Sequence, residues 1–114
     1  MEGSFRSDLR ISTIKKSISN DSFKIYVGQV NQLDREEGLG RQIFKDEDGI
    51  LISEGQFKNG VVNGYARVIC PKGSAEDYYI GMLKLGCYDG KGKLVYKDGQ
   101  VEDGNFDLNE FVKE

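Results

Sequence analysis

The chain contains no histidine among its 114 residues. The Ser-His-Asp and Cys-His catalytic arrangements and the HExxH zinc motif all need an imidazole, so this absence excludes them. The two cysteines, Cys70 and Cys87, do not have CxxC spacing, and we therefore expect neither a disulfide framework nor a cysteine metal site. These absences predict a protein that is not an enzyme, that needs no cofactor and that resides in a reducing, cytoplasmic compartment.

Long apolar runs are also absent. No stretch approaches the roughly 18 apolar residues that a membrane-spanning helix needs, and the N-terminus lacks the apolar centre of a secretory signal. We therefore expect no transmembrane segment and no secretory leader.

Charge is divided unevenly along the chain. Residues 1–25 hold five basic and three acidic side chains, whereas residues 26–114 hold 11 basic and 16 acidic ones. Nucleic-acid phosphates attract clusters of Lys and Arg, so an acidic body disfavours nucleic acid as a partner. The acidic stretch Asp46–Gly49 begins like a calcium loop, but the third alternating ligand and the closing Glu are missing, and we predict a turn and no metal site.

Glycine, in contrast, is abundant, and its 15 residues recur in a lattice. Aligned on Gly28, Gly55, Gly81 and Gly104, the units have periods of 27, 26 and 23 residues, and an apolar residue follows each glycine two positions later. In the second and third units, further glycines fall five, nine and 18 positions on, at Gly60, Gly64, Gly73, Gly86, Gly90 and Gly99. Such a regular period indicates a repeat architecture rather than low-complexity disorder.

Between the glycines, residues alternate between apolar and polar with a period of two, which predicts β-strands. Asn-Gly and Asp-Gly pairs between the runs suit tight hairpin turns. The pattern therefore predicts a meander of hairpins, one per unit, with first strands at 24–30, 50–58, 78–84 and 100–106 and second strands at 40–45, 65–70 and 91–96.

The same alternation predicts the two faces of the sheet. Glycines at offsets 0, +9 and +11 fall on the face that also carries the large apolar side chains, so we expect rings to lie over bare glycine backbone. One face would then be aromatic and the other polar.

The flanks divide the chain into an N-terminal segment 1–23, a hairpin array 24–106 and a C-terminal cap 107–114. Within residues 5–22, helical and strand spacings both fit the apolar residues, and the sequence does not decide between them. Asp107 followed by Glu110 is similar to a helix capping box, so a short C-terminal capping helix is expected.

Three segments carry a family resemblance: Tyr26-Val-Gly28, Tyr79-Ile-Gly81-Met-Leu83 and the stretch from Gly90 to Gly99. They resemble MORN repeats, over about residues 26–106. Departures are Ser53 and Glu102 where that family prefers Tyr, and Ala66 in place of a glycine. The resemblance implies an all-β, single-layer, elongated antiparallel sheet of stacked hairpins. It also implies a scaffold, tether or dimerisation role in cytoskeletal, ciliary or membrane-associated assemblies.

Two binding hypotheses follow. A one-layer sheet buries its apolar face only when something covers it, such as a flank, a second copy or another protein subunit. The first hypothesis therefore places protein binding on the apolar columns, at Tyr26, Phe57, Tyr79, Leu83 and Tyr96. The alternative is a peripheral membrane module that binds anionic phospholipid through a lysine stripe, at Lys91, Lys93 and Lys97.

Overall fold

The structure, a computed structural model, describes residues 10–113, which form one antiparallel sheet of nine strands. Each strand pairs with the strands that precede and follow it in the chain, as a meander requires. The predicted all-β, single-layer sheet of hairpins is therefore confirmed. The strands are β1 Arg10–Ser19, β2 Ser22–Val30, β3 Glu36–Asp46, β4 Gly49–Lys58, β5 Val61–Ile69, β6 Glu76–Lys84, β7 Cys87–Tyr96, β8 Val101–Asp107 and β9 Glu110–Phe111.

The second strand of each hairpin starts about four residues earlier than the alternation indicated. The turns of the second and third hairpins are tight, with positive φ at Asn59 and Gly60 and again at Leu85 and Gly86. Pairing resumes directly after the turn and then shifts in register, for example between Gly55 and Phe57 of β4. The extra residues are absorbed in these bulges, which interrupt the period of two that the sequence analysis relied on.

Both flanks are strands. In the N-terminal flank, β1 pairs along its length with β2, and Ile14 packs against the buried core while Ile11 and Ile18 are exposed. Strand pairing therefore decides between the two spacings for residues 10–19, whereas residues 5–9 lie outside the described part of the chain.

The expected C-terminal capping helix is wrong, since residues 10–113 contain no helix. Leu108 and Asn109 instead form a turn with positive φ, and β9 pairs with the end of β8. The side chain of Phe111 then packs against Phe106, with 5.2 Å between the ring centroids, so burial of one ring favours the strand over the helix.

The core lies on one side of the sheet, which we call the inner face and which carries Tyr26, Phe57, Tyr79 and Phe106. These rings contact one another edge to face within each end of the array, with Tyr26 5.0 Å from Phe57 and Tyr79 5.3 Å from Phe106. The opposite side is the outer face. The buried apolar set is Tyr26, Val30, Phe57, Val62, Ala66, Val68, Tyr79, Leu83, Leu94 and Phe106.

Tyrosine rings do lie over glycine backbone, but only over part of the lattice. A Cβ atom at Gly40 or Gly92 would overlap the ring of Tyr26 or Tyr79, respectively. At Gly90, one of the +9 positions, an added Cβ would meet Met82 rather than a ring, and φ is +104°. The expectation of a ring over the +9 glycines is therefore wrong, because backbone conformation is what requires glycine there.

Candidate functional site: a groove on the inner face

The groove on the inner face opens where the repeat lattice leaves out a tyrosine. Ser53 of β4 occupies the column that holds Tyr26 in the first repeat and Tyr79 in the third. The same repeat has Ala66 in the column of Gly40 and Gly92, because no ring has to lie on the backbone there. The resulting space is about 460 Å³ and is lined by Gln42, Leu51, Ser53, Gly60, Val61, Val62, Val68, Glu76, Leu83, Gly86, Tyr88 and Asn109.

The lining combines an apolar floor with a few polar groups. Val62, Val68 and Leu83 belong to the buried core and form the floor. Among the described residues, nothing hydrogen-bonds to the buried Oε1 atom of Gln42. An acceptor left unpaired in an apolar setting is unfavourable, so a donor in the groove would gain a hydrogen bond to this shielded atom if the Gln42 side chain turned toward it.

At the other end of the groove, Tyr88 donates its hydroxyl proton to Glu76, with 2.9 Å between the two oxygens. Burial raises the pKa of Tyr88, and nearby Cys70 and Glu76 raise it further. Burial likewise raises the pKa of the Cys70 thiol, whose sulfur lies 3.8 Å from Glu76 Oε1. The thiol and the phenol therefore stay neutral near pH 7, and the thiol is not activated as a nucleophile.

Ring stacking fixes the Tyr88 end of the groove. The Tyr88 ring stacks on that of Tyr79, with 4.0 Å between centroids and 7° between planes. The Tyr79 hydroxyl in turn donates to the carbonyl of Met82 at 2.7 Å, as that of Tyr26 donates to the carbonyl of Gln29 at 2.6 Å. The wall of the groove is thus held by the repeat's own tyrosine anchor.

The residues predicted to bind protein lie mainly beneath the surface. Tyr26 and Tyr79 are 0% exposed, and Phe57 and Leu83 are also buried, while Tyr96 is half-buried. Of the five, Leu83 lines the groove. The others build the core beside it, so a partner on this face would contact the groove residues rather than the predicted columns as a whole.

The predicted lipid-binding lysines separate into two kinds. Lys91 and Lys93 are exposed and lie on the outer face. Lys97 is engaged within the protein, since its Nζ atom donates to three carbonyl oxygens at 2.6–2.7 Å, those of Pro71, Ser74 and Glu76. The stripe therefore offers two available lysines, not three.

The outer face was expected to be polar, and this is wrong along one row. Directly paired positions on seven successive strands are apolar, namely Ile25, Ile43, Ile52, Ile69, Tyr78, Val95 and Val101. The sequence contained a sign of this row, because an apolar residue stands three positions before each aligning glycine. Cross-strand neighbours of this kind stabilise a sheet by covering one another, which explains why six of the seven are only half-exposed.

Other kinds of site find little support in the described residues. Residues 10–113 include no group of three or more Cys, Asp or Glu side chains placed to hold a metal ion. Within the same residues there is no helix long and apolar enough to cross a membrane.

Comparison with known proteins agrees with the repeats seen in the sheet. The MORN repeat family matches residues 54–75 and 79–101. Alsin from Mus musculus and Alsin from Homo sapiens are each 38% identical to this chain over 72 residues. The match covers 61% of this chain but only 4% of each Alsin, so it concerns one region of a far longer protein. The lattice of glycines and anchoring tyrosines and these matches together show that the chain carries MORN repeats at residues 54–75 and 79–101.

Proposed function

We propose that this protein is a non-enzymatic adaptor that binds a segment of another protein in the inner-face groove. The observation that carries the proposal is the groove itself, whose lining includes Ser53, the position that carries the anchoring tyrosine in the neighbouring repeats. MORN repeats in general mediate protein or membrane interactions. We infer a role as a subunit of a larger cytoplasmic assembly, such as a cytoskeletal or ciliary one.

The lining indicates the chemistry of the partner. An apolar side chain would fit against Val62, Val68 and Leu83, since burial of apolar area provides most of the affinity at such sites. A basic group beside it would be attracted to Glu76, and an N–H or O–H donor would satisfy Oε1 of Gln42 once that side chain turned toward the groove. The segment we propose therefore has an apolar anchor flanked by hydrogen-bond donors or a basic residue.

The decisive variant restores the missing ring. In Ser53→Tyr/Ala66→Gly, the new tyrosine would lie over Gly55 and the new glycine, as Tyr79 lies over Gly81 and Gly92, and would narrow the groove at position 53. We expect a folded protein of equal or higher melting temperature that no longer retains the partners of the wild type. The measurement compares proteins captured by both forms from cells that express the chain, followed by affinity measurements on those that differ.

A matched control is Glu102→Tyr, which restores a tyrosine in the same column but away from the groove. It should retain the wild-type partners. Capture of the same proteins by wild type and by the groove-narrowed variant would refute the groove as the binding site.

A second candidate, binding to anionic phospholipid, is favoured by the outer face. At paired positions of this face, eight basic side chains stand against four acidic ones. The basic ones are Lys15, Arg41, Lys45, Lys58, Arg67, Lys84, Lys91 and Lys93, and the acidic ones are Glu54, Asp103, Asp107 and Glu110. Two ion pairs, from Arg41 and from Arg67, compensate Glu54. Each basic residue near an anionic surface contributes about 1 kcal/mol, so this face could hold the protein at a membrane although the whole chain is acidic.

Flotation with phosphatidylserine vesicles at physiological salt separates the two candidates. Lys91→Ala/Lys93→Ala should abolish flotation if lipid is the ligand, whereas the groove-narrowed variant should float like the wild type. Absence of wild-type flotation would leave protein binding in the groove as the function.

A further inference from the structure

Each end of the sheet carries half of a repeat: β8 corresponds to the first strand of a repeat and β1 to the second. Within the third repeat, Gly81 of the first strand pairs with Gly92 of the second, and Tyr79 pairs with Leu94. Strand β8 is again a first strand, with Gly104 and Glu102 in the places of Gly81 and Tyr79. On the side away from β7, it pairs with β9 at Phe106 and Asp107, and the carbonyl of Asn105 accepts a hydrogen bond from the Val112 N–H.

Strand β1 has the opposite character, that of a second strand without its own first strand. It pairs with β2 through Ser12 opposite Gly28 and Ile14 opposite Tyr26. A repeat later, Gly40 faces Gly55 and Gln42 faces Ser53 in the same manner. Among residues 10–113, nothing pairs with the other edge of β1.

The unpaired edges carry opposite charges. Strand β1 contains Arg10, Lys15 and Lys16 and no acidic residue, and β8 contains Glu102, Asp103 and Asp107 and no basic residue. Exposed lysines on an edge strand normally discourage pairing between identical edges. They equally favour pairing with an edge of opposite sign.

We propose that two copies of this chain associate head to tail, with β1 of one copy pairing antiparallel to residues 101–104 of β8 of the next. The repeat register places Gly104 opposite Ser12 and Glu102 opposite Ile14 of the neighbouring copy. Lys15 and Lys16 then lie diagonal to Asp103 and Glu102, on the outer and inner faces respectively, within reach of long side chains. The contact completes the fourth repeat and requires residues 112–113 to leave the edge of β8, where the Val112 N–H donates to the carbonyl of Asn105. Arg10 and Ile11 of the neighbouring copy stay unpaired, because β9 occupies the edge opposite them.

Such a contact uses a different surface on each partner, and it therefore repeats, giving a ring where the rotation closes and a filament where it does not. The inner faces of successive copies would form one continuous surface, with a groove in each copy. The inference goes beyond the proposed binding function and does not depend on it, because no groove residue lies at either edge.

The test is a charge swap measured by sedimentation velocity. The head variant is Lys15→Glu/Lys16→Glu, and the tail variant is Glu102→Lys/Asp103→Lys. Wild type should show a sedimentation coefficient that rises with concentration at low salt and falls back near 0.5 M NaCl, where the Debye length is only about 4 Å. Each variant alone has two edges of the same sign and should remain monomeric, whereas an equimolar mixture should associate again.

Thermal unfolding checks that both variants are folded. If a double variant is not folded, the single variants Lys15→Glu and Asp103→Lys replace the head and tail variants in the same mixing experiment. Wild type that stays monomeric at every concentration, or a mixture that fails to associate, would overturn the proposal. So would a tail variant that associates as wild type does, which would instead indicate pairing of β1 with β1.

Register is tested by crosslinking in a Cys70→Ala/Cys87→Ala background. Thr13→Cys/Asp103→Cys should form disulfide-linked oligomers, because these positions face each other in the proposed pairing. Thr13→Cys/Lys45→Cys, with the second cysteine on a central strand, should not. Equal crosslinking of the two would contradict the register.

Discussion

At the scale of single residues, the protein depends on a coupling between one tyrosine and one glycine of each hairpin. Tyr79 lies along the backbone, reaches the carbonyl of Met82 and leaves no space for a Cβ atom at Gly92. The second repeat has Ser53 and Ala66 in the corresponding places. The second repeat thus replaces both the tyrosine and its glycine, and the groove lies beside this double replacement.

Gly92→Ala tests the coupling. The added methyl group would push the Tyr79 ring from its place, and overpacking of this kind typically destabilises by about 1–3 kcal/mol. In a Tyr79→Ser background the same change should have little effect, because no ring remains to be displaced. Urea unfolding of the four forms gives the coupling free energy, and a value near zero would show that the glycine is required for another reason.

The buried tyrosines also make stability depend on alkaline pH. Burial raises the pKa of Tyr26 and of Tyr79 from 10.0 to about 12. Between these values the unfolded chain releases protons that the native protein keeps, so unfolding becomes more favourable as pH rises from 10 to 12, while below pH 10 the stabilisation is complete. Urea midpoints at pH 9 and pH 11 should show this loss, and Tyr26→Phe/Tyr79→Phe should reduce the difference between the two midpoints.

At the scale of elements, hairpins are held together by their own strands, whereas neighbouring hairpins also need ordered connections. The connection from β5 to β6 wraps around Lys97, which lies just after β7 and donates to the carbonyls of Pro71 and Ser74 in the connection and of Glu76 at the start of β6. A further backbone bond joins the Lys97 N–H to the carbonyl of Ala75. This lysine therefore fastens the second repeat to the third.

Lys97→Ala should lower the free energy of unfolding by about 1–2 kcal/mol, since hydrogen bonds from a charged group are stronger than neutral ones, although exposure to solvent weakens them. The matched control is Lys93→Ala, an exposed outer-face lysine four residues earlier, in β7, for which we expect a change within about 0.5 kcal/mol. Chemical denaturation of both variants makes the comparison. Equal effects would mean that the carbonyl contacts add nothing to stability.

At the scale of the whole molecule, the sheet is a linear array in which strands contact chiefly their sequence neighbours. Stability in such an array is approximately a sum over units and the interfaces between them. The inner core is concentrated in β2 to β8, and the edge strand β1 exposes most of its side chains.

Amide hydrogen exchange should therefore be slowest in the third repeat, β6 and β7, and fastest in β1 and β9. The physical reason is that an end strand opens by breaking one ladder, whereas a central strand must break two. In dilute protein at high salt, uniform protection across all strands would contradict the array behaviour. At low salt and high concentration, the proposed head-to-tail contact should slow exchange selectively in β1 and in residues 101–104.

Much of the architecture could be predicted from the sequence because the glycine lattice and the alternation around it are local properties of the chain. The spacing of Gly55, Gly81 and Gly104 was enough to predict the meander and the inner-face column of Phe57, Leu83 and Phe106. The missing tyrosine at Ser53 could be read in the same manner. That it leaves a groove could not, because the space depends on how far Val62, Val68 and Tyr88 close over it from other strands.

Only the tertiary structure decided those features for which the local sequence pattern is compatible with two structures. Residues 10–19 fit helical and strand spacing alike, and pairing with β2 selected the strand, just as burial of Phe111 against Phe106 replaced the expected capping helix. Lys91, Lys93 and Lys97 alternate identically along the chain, yet only the third meets the carbonyls of a distant turn. The sequence by itself thus determined the repeat and its pairing register, while contacts between residues far apart in the chain determined which side chains remain available to a partner.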